Sequence, residues 1–88
     1  MNVSISNSDR ILLKRITRRA DVFGGKPIIR DMRISVEMIL SLLVQGESQT
    51  DILADFPDIE PEDIRACIAF ARAALNRTNG RPEPVAAR

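Results

Sequence analysis

The sequence contains no histidine, no tryptophan and no tyrosine, and only one cysteine and three phenylalanines. Without imidazole there is no base, proton shuttle or metal ligand of that kind. The single cysteine, Cys67, excludes an internal disulfide and a zinc finger, in keeping with a reducing compartment. No base accompanies it, so it reads as a small core residue rather than a nucleophile. No apolar run is long enough to span a bilayer. Residues Met1 to Asp9 are polar and lack the apolar segment of a signal peptide. Gly24-Gly25-Lys26 lacks the earlier glycine and the following Ser or Thr of a phosphate-binding loop. These absences argue against an enzyme, imply no cofactor and no metal, and predict a cytoplasmic protein with no membrane segment.

What is present is one small domain of 88 residues. With Phe23, Phe56 and Phe70 its only aromatics, its core must be aliphatic. The net charge of +1 conceals three blocks. From Arg10 to Arg33, eight cations face Asp21 and Asp31, giving +6. From Ile34 to Asp63 there are eight acids and no cation, giving −8. From Ile64 onward, five arginines face Glu83, giving +4. Such blocks make local fields that the total does not report. Two readings stand: a basic face for nucleic acid, or blocks that neutralise one another inside the fold or across a dimer.

The chain divides into a flexible N-terminus over residues 1–10, one domain over 11–78 and a flexible tail over 79–88. Residues 11–16 can begin as a helical turn or a strand, and Ile16-Thr17-Arg18 is β-prone. The Gly24-Gly25 pair supplies positive φ and Pro27 fixes the exit. Ile28-Ile29-Arg30 and Arg33-Ile34 then suit two short strands closed by Asp31-Met32. Ser35 caps a first helix over Val36 to Gln45, stopped by Gly46. Its core stripe is Val36, Ile39, Leu40 and Leu43. Met38, Leu42 and Val44 lie outside that stripe. A helix this apolar predicts a homodimer interface at Met38 and Leu42, or cover by its neighbours from both sides.

Ser48 opens a second helix over Gln49 to Phe56, with Ile52, Leu53 and Phe56 inward. Pro61, at the first position of a third helix, is followed by Glu62 and Asp63, which suit the helix dipole. That helix runs to about Arg77, with Ile64, Cys67, Ile68, Ala71 and Leu75 as its buried stripe. The fold class expected is mainly α: a trihelical helix-turn-helix bundle preceded by a short β-hairpin.

The string Gly24-Gly25-Lys26-Pro27-Ile28-Ile29-Arg30, Arg33-Ile34, Gly46-Glu47-Ser48, Ile52-Leu53-Ala54-Asp55-Phe56-Pro57 and Pro61-Glu62-Asp63-Ile64-Arg65-Ala66 resembles the domain-of-unknown-function family DUF433. The resemblance covers about Leu12 to Leu75. It implies a homeodomain-like fold and an antitoxin that binds operator DNA and neutralises a PIN-like toxin, akin to the VapB–VapC type of pair. The chain departs from the family pattern at Ala20-Asp21, where Pro-Gly is usual, and at Asp31-Met32, where Gly-Thr is usual.

Candidate sites follow. A helix-turn-helix reader places the start of its third helix in the major groove. Here that start is Glu60-Pro61-Glu62-Asp63, and carboxylates facing phosphate oppose binding. Arg65, Arg72 and Asn76 share a flank further along and can reach phosphates or bases, or form a solvated flank. Arg18, Arg19, Lys26, Arg30 and Arg33 make a second basic surface around the hairpin; Arg33 can equally pair with Asp55. In the tail, Arg77, Arg81 and Arg88 are candidates for inserting into a partner's carboxylate cluster.

Overall fold

In the computed structural model the described residues are 7–78, the last two by backbone alone. The tail arginines Arg81 and Arg88, and the side chain of Arg77, lie outside them.

The element order is α1 (Asn7–Leu13), β1 (Ile16–Thr17), a 3-10 turn (Phe23–Gly25), β2 (Ile28–Ile29), α2 (Val36–Val44), α3 (Gln49–Asp55) and α4 (Pro61–Thr78). The fold is therefore mainly helical with one short antiparallel strand pair. The expected helices α2, α3 and α4 stand within a residue of their predicted ends. Local chemistry explains the precision. The Ser35 hydroxyl accepts from the Met38 N–H at 3.0 Å, and Ser48 does the same for Asp51 at 3.0 Å. Gly46 stops α2 at φ +92°, a conformation that costs glycine little.

Three expectations are corrected. First, a helix not expected there, α1, begins at Asn7, inside the N-terminal segment 1–10. That helix has only seven residues, too few to persist alone, and packing holds it. Leu12 is buried against Ala66 and Ala69 of α4. Second, the principal strand pair is not 28–30 with 33–34. Ile16 faces Ile29 and Thr17 faces Ile28, in antiparallel register. The 28–35 side adds a single bridge, Ile28 to Ser35, and one bond from the Ile29 N–H to the Ile34 carbonyl at 3.0 Å. The tight turn is centred on Arg30 and Asp31, not Asp31 and Met32. Both have positive φ, +43° and +62°, and the Met32 N–H closes it on the Ile29 carbonyl at 2.7 Å. Positive φ at both central residues is the pattern of the primed turns that suit strand twist. Third, the buried face of α4 is rotated. Ile64 and Cys67 are buried as expected, but Ile68 is 50% exposed and Leu75 66%. Ala66 and Ala69 are buried in their place, because α1 lies close on that side.

The core is aliphatic. Ile29, Val36, Ile39, Ile52, Ile59, Ile64 and Cys67 form one buried cluster. Ile59 plugs the turn between α3 and α4, so the last two helices keep helix-turn-helix order. Among the described residues, no helix is long and apolar enough to cross a membrane.

Candidate nucleic-acid interface

The start of α4 is organised by one buried carboxylate. Asp63, in the first turn, has no solvent exposure. Its Oδ2 accepts from the Glu60 backbone N–H at 2.8 Å, which closes the helix start. Arg30 reaches it with two bonds, Nε to Oδ1 at 3.0 Å and Nη2 to Oδ2 at 2.7 Å. Arg15 adds a third, Nη1 to Oδ1 at 3.0 Å, and the same nitrogen donates to Glu60 Oε1 at 2.8 Å. Burial alone works to raise the Asp63 pKa. The bonds from Arg30, the Glu60 N–H and Arg15 outweigh burial and hold the carboxyl below its usual range.

Backbone geometry delivers both arginines. The Arg30 N–H donates to the Arg15 carbonyl at 2.8 Å, so the two leave the strand pair side by side. Arg30 Nη2 also donates to the Asp58 carbonyl at 3.2 Å, tying the hairpin to the α3–α4 turn. The Asp31 N–H donates to Thr17 Oγ1 at 2.9 Å and fixes the other side of the turn.

Two consequences bear on nucleic acid. Arg30 sits in an internal ion pair, not on an open basic hairpin. And two of the three carboxylates that made the α4 start look hostile to phosphate, Glu60 and Asp63, face two cations. Only Glu62 remains, exposed and one turn from the exposed Arg65.

The other candidates are scattered. Arg19 pairs with Asp21 at 3.2 Å, which lowers the Asp21 pKa. Lys26 pairs with Glu37 at 3.3 Å. Arg18 donates to the Gly25 carbonyl at 3.1 Å and its guanidinium lies 6.0 Å from the Phe70 ring centroid. Arg33 is exposed and makes no ion pair with Asp55 among the described residues; its charge helps hold the Asp21 carboxyl down. On α4, Arg65, Arg72 and Asn76 are all exposed and share an outer strip with Ile68. Arg72 pairs with Asp9 of α1. The structure thus keeps Arg65, Arg72 and Asn76 together and disperses the hairpin set. Of the expected dimer residues, Met38 is exposed and Leu42 is half-buried against the main core. Cys67 is buried, and burial, helped by the Asp63 charge, pushes its thiol up to about 12. It stays protonated and unreactive at neutral pH.

Sequence reasoning missed Arg15 and the central role of Asp63. The only available signal was the three-residue spacing of Glu60 and Asp63, which marks a helix start. It says nothing of partners 33 and 48 residues away.

Residues 16–71 match the model of a protein family of unknown function, DUF433. The chain belongs to the DUF433 family. The matched span runs from the first residue of β1 to the middle of α4, so it contains the Arg30–Asp63 pair and excludes the whole of α1. A curated relative, the uncharacterized protein y4eO of Sinorhizobium fredii, is 29% identical over 58 residues, which is 66% of this chain and 26% of that protein. The chain thus spans about a quarter of the length of that relative. No solved structure matches it.

Proposed function

We propose that this DUF433 protein is an antitoxin-like, cytoplasmic DNA-binding protein that reads its own operator with the outer strip of α4 and neutralises a PIN-like toxin. The observation that carries the DNA half is the neutralised start of α4. Arg15 and Arg30 offset Glu60 and Asp63, which removes most of the repulsion a groove-entering helix would meet. The strip beyond it offers Arg65 and Arg72 for phosphate or guanine, Asn76 for adenine and the apolar Ile68 for a thymine methyl. Family resemblance supports the toxin half.

A gel-shift titration of the full chain with the DNA upstream of its own gene tests this reading. Retardation that weakens steeply with salt, and that Arg65→Ala impairs, is the expected result. No retardation at low salt, with or without a co-purified partner, overturns it.

A specific observation favours a second reading, a trihelical protein-interaction module without DNA binding. The helix that precedes a recognition helix lies across the DNA backbone. Here α3 carries Asp51 and Asp55, is flanked by Glu47 and Asp58, and contains no cation.

A further inference from the structure

Asp9 is the only acid in the sequence ahead of Asp21. It stands in the first turn of α1, and Leu12, one turn on, seats that helix against Ala66 and Ala69 of α4. Side chains one turn apart share a helix face, so Asp9 is turned toward α4 along with Leu12. The cations of α1 take another side: Arg10 and Lys14 line a separate groove with Asn7, Ile11 and Leu13. The helix thus aims its one carboxylate at the outer strip of α4. A cleft of about 190 Å³ has Asp9 and Leu12 on one wall and Arg65, Ile68, Ala69 and Arg72 on the other. Across it, Arg72 Nη2 donates to Asp9 Oδ2. The Asp9 side chain keeps 15% of its accessibility and that of Arg72 keeps 54%. The carboxylate is held in place by the docked helix, while the guanidinium stays open to a ligand from solvent.

We propose that α1 is an autoinhibitory clasp, in which Asp9 occupies Arg72 in place of a nucleic-acid phosphate and must be displaced for DNA to bind. The inference rests on the reading of the α4 strip as the DNA-binding face. A carboxylate offers a guanidinium the same kind of two-oxygen acceptor as a phosphate. Being tethered beside the strip, Asp9 competes for Arg72 at every DNA concentration. Arg72 gains a phosphate contact only by giving up Asp9, and the freed carboxylate then lies near the negative charge of the duplex. Helix α1 precedes residues 16–71, the span that the family model matches, so the clasp is laid on the shared domain from outside it. Control of the strip rests in a seven-residue helix that packing holds.

Fluorescence anisotropy of the full chain on the duplex upstream of its own gene, titrated at several salt concentrations, tests this. Asp9→Asn should bind about two- to fivefold more tightly per chain, the size expected for one exposed ion pair. Its slope of log K against log salt should be steeper by about 0.9 per chain, one more phosphate contact. Asp9→Ser, which also removes the charge, should behave alike, and circular dichroism should show both variants helical. Neither change should appear when Asp9→Asn is made in an Arg72→Ala chain, because the effect runs through Arg72. Equal binding by wild type and Asp9→Asn overturns the clasp and leaves the DNA reading standing. A gain that persists in the Arg72→Ala chain also overturns the clasp, since it reports only one negative charge fewer near the DNA. Binding by Asp9→Asn alone supports the clasp and the DNA reading together, and binding by neither at low salt overturns both.

Discussion

Replacing Asp63 with Asn removes one charge from a site with no exposure while preserving shape. No cavity forms, so the loss is electrostatic rather than steric. The Asn amide oxygen can still accept from the Glu60 N–H, so the helix start keeps its cap. What is lost is the partner of two guanidinium groups. Removing one member of a buried ion pair costs about 3–5 kcal/mol, because the other is left uncompensated. Here the arginine side chains retain 28% and 37% of their accessibility, and water can reach them. The lower end, about 3 kcal/mol, is therefore expected. For a domain whose stability is roughly 0.05–0.15 kcal/mol per residue, that is a large share of the whole. At about 4–8 °C per kcal/mol for a domain this small, Tm should fall by about 12–24 °C. Thermal melts and urea titrations of wild type, Asp63→Asn, Arg30→Gln and the double variant measure both the loss and the coupling. A coupling of about 1–3 kcal/mol is expected for residues in one network. A Tm drop below about 4 °C, or additive single variants, would refute the assignment of Asp63 as the electrostatic centre of the fold.

The same group sets a pH dependence. Its folded pKa lies below its unfolded value, so its stabilisation is present above the unfolded pKa, about 3.9, and is lost as pH falls through the lowered folded value. Wild-type Tm should thus drop across the acid range, and the slope should flatten in Asp63→Asn; equal slopes would exclude Asp63 as its source. At the hairpin turn, Asp31 holds φ +62°, in the left-handed region that favours glycine. Asp31→Gly should leave Tm unchanged or slightly higher, whereas Asp31→Val, β-branched in a left-handed site, should cost about 1–2 kcal/mol; equal melting of both variants would show that the turn is unstrained.

The elements legible in the sequence are those fixed by neighbours in the chain. Ser35, Ser48, Gly46 and Pro61 act on backbone groups a few residues away, and they place the starts of α2, α3 and α4 and the end of α2. What was not legible depends on contacts across the chain. Helix α1 exists because Leu12 finds Ala66 and Ala69, more than fifty residues on. The rotated face of α4 has the same origin: a hydropathy pattern favours Ile68 and Leu75 for burial, whereas close helix packing selects alanine. The turn shifted by one residue because Arg30, a poor choice for positive φ on local grounds, is held there by its bonds to Asp63 and the Asp58 carbonyl. Asp31 keeps the left-handed turn position that Asp tolerates better than most residues. The segregated charge was visible in the sequence, but its use was not. Much of it is consumed where the first basic block meets the acidic block at Asp63, Glu60 and Glu37.

That internal neutralisation puts a number on the DNA reading. Each cation that displaces a counterion contributes about −0.9 to the slope of log K against log salt on duplex DNA. Arg15, Lys26 and Arg30 hold carboxylates within 3.3 Å. The outer strip of α4 offers two arginines per chain, Arg65 and Arg72, and the second must leave Asp9 to bind phosphate. A dimer reading two half-sites through that strip alone therefore has a slope between about −2 and −4. The acidic α3 adds no phosphate contact to steepen it. Arg65→Ala should flatten the dimer slope by about 2, one contact per chain, while Arg19→Ala should leave it unchanged. A slope near −8 would mean that the hairpin cations contact the DNA as well, Arg18 and Arg33 from their exposed positions and Arg19 by leaving Asp21; Arg19→Ala would then flatten it too. The helix strip and the basic hairpin thus make opposite predictions in the same titration.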